Sequence, residues 1–426
     1  MAEKGADKDM QNYKPRLLEK EIKEKLAYSG AVYIEGPKWV GKSTTAMLFS
    51  KTIIKFQNPI IKKQYQTLVS ISKEEVLAGE LPILFDEWQE VPEIWDFIRL
   101  DIDERNLKGA YLLTGSTKKQ TVKTSHTGTG RINSVYMRPM SLFESEDSLG
   151  NVSLAELFDA QKIKPVRSKV SLNDIANLIC RGGWPGILGL DENSQLRVPN
   201  DLLISIINRD AEEVDGVRKD RRKFTRFIQS YGRNISTLAT DKTIYADQSG
   251  EGINIDAKTY LTYLNALERL YIIENVHAWS PNIRSASTIR STSKKQFVDP
   301  SIAIASLGLT PEKLKHDFKL FGFFFESIVT RDVRVYASYL GGNVFYYRDT
   351  SGLEVDLIVE LGDGRWGAIE VKLGGNELEK AARNLLKLQE IVIGSKPSFM
   401  MVITNTELAY QREDGIFVVP LGCLKP

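Results

Sequence analysis

The sequence predicts an α/β chain of more than one domain, and three observations carry that expectation. An apolar run, AVYIE (31–35), breaks into a glycine-containing turn and then a helical stretch. Further on, Leu261, Leu264, Leu267 and Leu270 follow one another at helical spacing. Near the end, two alternating strands flank Gly362-Asp363-Gly364. The chain has 426 residues, more than one ordinary core holds. Three domains are expected, over 1–165, 166–285 and 286–426.

The turn after the first strand, GPKWVGKST (36–44), fits G-x-x-x-x-G-K-[ST] through Gly36, Gly41, Lys42 and Ser43. At average residue usage this pattern arises by chance in roughly 2% of chains of this length. Its context narrows it further, because STTAMLFSKT after Lys42 reads as a helix. Strand, glycine loop, helix is the order that phosphate binding needs. Loop N–H groups face the phosphates and the helix N-terminus adds positive potential. The loop residues Gly36, Pro37, Lys38, Trp39, Val40, Gly41, Lys42, Ser43 and Thr44 are therefore the candidate cradle. Lys42 would reach the β- and γ-phosphates, and Ser43 would ligate Mg²⁺. The bland alternative is a solvated turn before a surface helix.

PILFDEWQEVP (82–92) is an apolar strand ending in two carboxylates. Asp86 would hold Mg²⁺ through water, and Glu87 would orient or deprotonate the attacking water. A third strand, GAYLLTGST (109–117), ends in Thr114 to Ser116, which would sense the γ-phosphate or simply terminate the strand. Arg131 follows a Gly/Thr-rich stretch (124–130) and precedes a fourth strand, INSVYM. An arginine there would stabilise a phosphoryl transition state, in cis or on a neighbouring subunit, or is a surface residue.

The stretches YKPRLLEKEI, SGAVYIEGPKWVGKSTTA, LFDEWQ, LLTGS, GRI and RPMSLFE together resemble an AAA-type ATPase domain common in bacteria and archaea. That family belongs to the P-loop branch with a catalytic glutamate and an extra central strand. The resemblance implies a P-loop NTPase domain with a mostly parallel sheet, with ATP and Mg²⁺ as cofactors. It also implies a C-terminal partner region.

In the middle region, ICRGGWPGILGL (179–190) is turn-rich, and Gly182, Gly183 and Pro185 read as shaping backbone. The basic run Arg218, Lys219, Arg221, Arg222, Lys223 opens a helix and reads as a solvated face or a phosphate contact. In NIDAKTYLTYLNALERLYIIENVHAW (254–279), Asp256 suits a helix N-cap, the leucine face packs inward, and YIIENVHAW reads as a strand. Helix, helix, strand pair is winged-helix order, which reads DNA or packs on protein. SPNIRSASTIRSTSKK (280–295) reads as a linker or exposed loop. His126, His277 and His316 have no ligand spacing.

The last region raises a charge problem. In GLEVDLIVELGDGRWGAIEVKLG (352–374), Leu353, Val355, Leu357 and Val359 share a face with Ile369, Val371 and Leu373. A loop centred on Asp363 keeps the faces consistent. It sets Asp356 opposite Glu370 and Glu354 opposite Lys372. Like charges directly opposed destabilise a sheet, and a divalent cation between them would reverse the sign. The pattern resembles the PD-(D/E)xK nuclease core, although Val355 replaces its proline. The resemblance implies a small restriction-endonuclease-like domain with Glu326, Asp356 and Glu370 as metal ligands and Lys372 as a catalytic residue. The alternative is a structural hairpin with paired charges.

Composition limits the functions available. Hydrophobic residues are 42% and charged residues 26% of the chain, and the net charge is +2, so any nucleic-acid site must be local. Two distant cysteines, Cys180 and Cys423, fit neither a disulfide framework nor a zinc site. The N-terminus lacks a signal-peptide core, and no apolar run approaches the roughly 18 residues of a membrane helix. A cytoplasmic ATP-hydrolysing protein is expected, without a membrane partner. Two readings of its output stand: metal-dependent cleavage or recognition of DNA or another nucleic acid, or a switch that binds protein or nucleic acid and cuts nothing. A homo-oligomer is compatible with both.

Overall fold

The structure is a computed structural model that describes residues 13–117, 128–247, 255–281 and 292–426. Residues 124–127 of the Gly/Thr-rich stretch, His126 among them, lie outside the described residues, as do 282–291 of the expected linker. The chain forms two compact units, one of residues up to Arg138 with 269–271, the other of 139–268 with 272–426. The expected boundary at 285 falls inside the second unit.

The first unit is built on β1 (Ala31–Glu35), β2 (Thr52–Lys55), β3 (Ile83–Asp86), β4 (Tyr111–Gly115) and β5 (Ile132–Tyr136), in the order β2-β3-β4-β1-β5. All four pairings are parallel. A parallel strand covered on both faces needs a near-continuous apolar run. β3 and β4 are buried throughout, and β1 at every residue but Glu35. The helix after the glycine loop stops at Met47 rather than running to Thr52. The β-branched Thr52-Ile53-Ile54 run instead makes β2, an edge strand beside β3. One core groups Tyr33, Phe85, Trp88, Trp95, Ile98 and Tyr111 with its neighbours.

The second unit combines helices with a seven-stranded mixed sheet. Its principal helices are α1 (Leu172–Arg181), α2 (Glu192–Ser205), α3 (Arg221–Arg233), α4 (Ala257–Arg269), α5 (Pro300–Leu307), α6 (Phe318–Tyr339) and α7 (Leu378–Ile391). The strands are β6 (Val152–Ser153), β7 (Val166–Arg167), β8 (Gly342–Arg348), β9 (Glu354–Leu361), β10 (Trp366–Lys372), β11 (Phe399–Thr404), β12 (Leu408–Gln411), β13 (Phe417–Pro420) and β14 (Leu424–Lys425). The large sheet runs β7-β12-β13-β11-β10-β9-β8, and β14 pairs with β6.

Three expectations for the middle region change. The buried stripe of α4 is Tyr260, Tyr263, Ala266 and Leu267, whereas Leu261 is 52% exposed. The tyrosines face inward because their rings pack edge-on against Phe224 and Phe227. The Tyr260 hydroxyl meanwhile donates to Asp241 at 3.1 Å. The predicted strand at 271–279 resolves into isolated bridges at Ile273, Val276 and Ala278. There the Asn275 side chain accepts from Gln296 N and Tyr231 Oη, so a side chain stands in for part of the ladder. Lys219 leaves the solvated basic face: it is buried, with Nζ on Asp215 Oδ1 at 2.7 Å.

The structural reading of the Gly-Gly turn agrees with its surroundings. A Cβ on Gly183 would stand 2.2 Å from Met140 O. Gly183 N donates to Asp299, the N-cap of α5, at 2.9 Å.

Candidate functional site

Parallel register brings the first site together. Ile34 lies beside Thr114, and Phe85 beside Leu113, so β1, β4 and β3 end on the same edge of the sheet. The glycine loop leaves β1 at that edge. Gly36 has φ +148 and its missing Cβ would lie 2.2 Å from Met137 O, a conformation and a space that only glycine fits. Gly41 is left-handed at φ 92, which turns the chain into the helix Lys42–Met47. Val40 is fully buried, while Trp39 is 49% exposed. Pro37 is buried, and Lys38, Ser43 and Thr44 are half-buried.

Lys42 is buried, and its Nζ donates to Gly36 O at 3.0 Å and Pro37 O at 2.7 Å. Burial pushes its pKa down to about 8, against the pull of Glu87 and Asp86. Ser43 Oγ donates to Asp86 Oδ1 at 2.5 Å, and Thr114 Oγ1 donates to the same oxygen at 2.6 Å. Burial raises the Asp86 pKa, opposed by these two donors. Glu87 sits in the left-handed region (φ 57), with its N–H on Thr114 Oγ1 at 3.0 Å. Its carboxylate accepts from Ser116 Oγ at 3.0 Å and from the Gln89 side chain. One hydroxyl and one carboxylate at contact distance suit Mg²⁺, which favours oxygen ligands and keeps several waters. Ser43 and Asp86 would hold that ion beside the loop.

Two residues outside the motifs brace this region, Arg16 the loop itself and Tyr13 the helix that follows it. Arg16 is 6% exposed, with Nη1 on Val40 O at 2.7 Å and Nη2 on Arg138 O at 2.8 Å. The Tyr13 hydroxyl reaches Thr45 Oγ1 at 3.0 Å and Glu19 Oε1 at 2.9 Å. Both lie in YKPRLLEKEI, a stretch with no chemistry readable from spacing.

The structure does not bring Arg131 to the site, which corrects its role in cis. Arg131 precedes β5, and its carbonyl accepts from Ala31 N, at the start of β1. The glycine loop leaves the other end of β1, about 13 Å of strand away. The guanidinium is occupied by Asp103 at 2.7 Å.

A helix-capped parallel sheet with these groups on one edge is a P-loop ATPase-like arrangement. Residues 28–146 match the family described as AAA domain. Two further matches are to domains of unknown function, DUF8612 over residues 172–313 and DUF4143 over residues 321–424. Uncharacterized proteins of Mycobacterium tuberculosis and Mycobacterium bovis are each 24% identical over 369 residues, covering 82% of this chain and 72% of theirs. Among solved structures, a Walker-type ATPase of Pyrococcus abyssi is 15% identical, with a TM-score of 0.41, over 68% of this chain and 94% of its own. Among the described residues, no helix is long and apolar enough to cross a membrane.

The second unit holds a separate charged cluster. β9 and β10 pair with Leu357 opposite Ile369 and Val359 opposite Gly367, the register expected from the alternation. Glu326, Asp356, Glu370 and Lys372 do converge. The hairpin face is not a bare pair of carboxylates, however. Lys372 Nζ sits between Glu370 Oε2 at 2.6 Å and Asp356 Oδ2 at 3.1 Å. Lys294, expected in an exposed loop, is 1% exposed and reaches Glu326 at 2.8 Å, Glu354 at 3.4 Å and Asp356 at 3.5 Å.

The other polar atoms of the cluster are also engaged. Val371 N donates to Asp356 Oδ2 at 2.8 Å, and Asn384 Nδ2 to Glu370 Oε1 at 3.0 Å. Burial pushes Glu326 up to about 7 and Glu370 up to about 8. Desolvation acts on Asp356 in the same upward sense, but Lys294 and Lys372 hold it well below the usual carboxylate range. Among the described residues, no group of three or more His, Cys, Asp or Glu side chains is arranged to hold a metal ion. With an ammonium on each side of Asp356, the residues present do not fit the metal implied by the nuclease-like pattern.

Proposed function

We propose that the first unit binds ATP with Mg²⁺ and hydrolyses it, and that hydrolysis drives a conformational switch. The observation that supports this most is the Ser43–Asp86–Thr114 cluster beside Lys42, with Glu87 held next to it. The loop amides and Lys42 hold the triphosphate. Ser43 and Asp86 would hold Mg²⁺, which would supply neutralisation of the phosphate charge. Glu87 is aimed by Ser116 and Gln89 and takes the proton of the attacking water, and Thr114 carries the position of the Asp86 carboxylate to the Glu87 backbone. Turnover of Mg²⁺ with ATP, and with the other nucleoside triphosphates, tests the reading. An absence of saturable binding or turnover for all of them overturns it.

In this reading the second unit recognises protein or nucleic acid and cuts nothing. Lys294 at the centre of the carboxylates supports recognition over metal-dependent cleavage. Incubation of the chain with single-stranded, double-stranded and branched DNA and with RNA, in Mg²⁺ or Mn²⁺, with and without ATP, separates the two. Cleavage that Lys42→Ala leaves intact but Asp356→Asn abolishes would establish a nuclease and reject this output.

A further inference from the structure

The carboxylate cluster of the second unit brings four acids, Glu326, Glu354, Asp356 and Glu370, around two ammoniums. They come from three elements: Glu326 from α6, Glu354 and Asp356 from β9, and Glu370, with Lys372, from β10. Lys294 comes from none of these. Its backbone is pinned by a reciprocal pair of hydrogen bonds, Lys294 N to Val276 O at 2.9 Å and Val276 N to Lys294 O at 3.0 Å. Its Nζ also lies 5.8 Å from the centre of the Tyr346 ring, whose hydroxyl is fixed on Thr292 O at 2.6 Å. The ammonium is therefore held in place rather than free to swing.

We propose that Lys294 is a tethered cation standing where a divalent ion would otherwise bridge Glu326 and Asp356. Its Nζ contacts three carboxylates, at 2.8, 3.4 and 3.5 Å, from one point. A Mg²⁺ ion at that point would need oxygens at about 2.0–2.1 Å and a wholesale displacement of the ammonium. Displacing it would leave a buried, unpaired charge, which is costly. At that point the positive charge of an ion is supplied by the chain itself. Replacing Lys294 by the shorter, uncharged methionine removes the ammonium and leaves the three carboxylates facing the point where Nζ stood. The site becomes a Mn²⁺ or Mg²⁺ site by loss of one lysine.

The test uses the full chain without nucleotide, titrated with Mn²⁺ by calorimetry and by electron paramagnetic resonance, with circular dichroism to establish folding. The wild type is expected to match Asp356→Asn, with no Mn²⁺ held by the cluster. Lys294→Met is expected to gain a single Mn²⁺, with a higher melting temperature in its presence, and to lose both when combined with Asp356→Asn. Wild-type Mn²⁺ binding that Asp356→Asn removes would overturn the proposal, as would a folded Lys294→Met that binds none. If Lys294→Met does not fold alone, Lys294→Met with Glu326→Gln restores charge balance, and refolding of the single variant in Mn²⁺ supplies the missing charge. Recovery by either route supports the proposal; failure of both overturns it. Any Mn²⁺ held by Ser43 and Asp86 is common to all the variants, so the differences between them report on the cluster alone.

Discussion

At Lys42 the loss of one side chain separates binding from chemistry. Its ammonium is the cation proposed to meet the phosphates, and hydrogen bonds to charged groups contribute about 1.5–3 kcal/mol. Lys42→Ala is expected to weaken ATP binding roughly 10- to 100-fold. Glu87→Gln should bind ATP normally and lose about 10²–10⁴ in turnover, since it keeps the hydrogen bonds but not the base. Equilibrium titration and single-turnover rates on both variants check this, and normal turnover in Glu87→Gln removes Glu87 as base. Burial also predicts a pH effect. Burial lowers the Lys42 pKa in the free protein to about 8, and a phosphate bound beside it would raise it. Below that pH the lysine is already charged and affinity is flat. Above it binding takes up a proton, so affinity falls toward about tenfold per pH unit. A titration from about pH 7 to 10 shows the break, and Lys42→Ala removes it. The glycine loop was legible because its job depends on residue type at fixed spacing. Arg16 was not, because its partners are the main-chain carbonyls of Val40 and Arg138, which leave no trace in a sequence.

The β9–β10 hairpin shows where pattern reading stops. Alternation and loop length settled which residues face which, since a one-residue slip would put charges into the apolar face. They said nothing of what covers the charged face. Lys294 arrives there from a distant Ser/Thr-rich stretch, and long-range placement of that kind has no local signal. The sign of a stability effect changes as a result. From like-charge repulsion alone, Asp356→Asn with Glu370→Gln should stabilise the metal-free protein. With Lys372 half-buried between them, the double variant strands an ammonium instead. The expected outcome is a loss of about 3–5 kcal/mol, as for breaking a buried ion pair. Urea denaturation of the second unit's transition measures it, and a gain in stability would mean that repulsion dominates. The leucine stripe of α4 failed for a related reason. Tyrosine rings displaced Leu261 from the core because they bury more area while their hydroxyls keep polar partners such as Asp241.

For the whole molecule, the placement of Arg131 leaves only one way for it to serve catalysis. It lies at the opposite end of the sheet from the glycine loop, so Arg131→Ala should leave nucleotide affinity and turnover unchanged in dilute protein. A defect that appears only as protein concentration rises would mark a neighbouring subunit's site. A defect at high dilution would contradict the geometry. Family matches account for the chain in pieces, one AAA domain and two domains of unknown function. The matched AAA segment begins at residue 28 and so contains every phosphate-loop residue but neither Tyr13 nor Arg16. A recombinant fragment trimmed to that segment would carry a correct motif on an unbraced loop. A fragment beginning before Tyr13 should retain ATP binding, and one beginning at residue 28 should lose it. Lysine at position 16 should be a poor substitute, because one ammonium cannot present the guanidinium's fixed fork to two carbonyls. An expression strategy that trusts the motif alone would therefore discard the guanidinium that ties Val40 to Arg138.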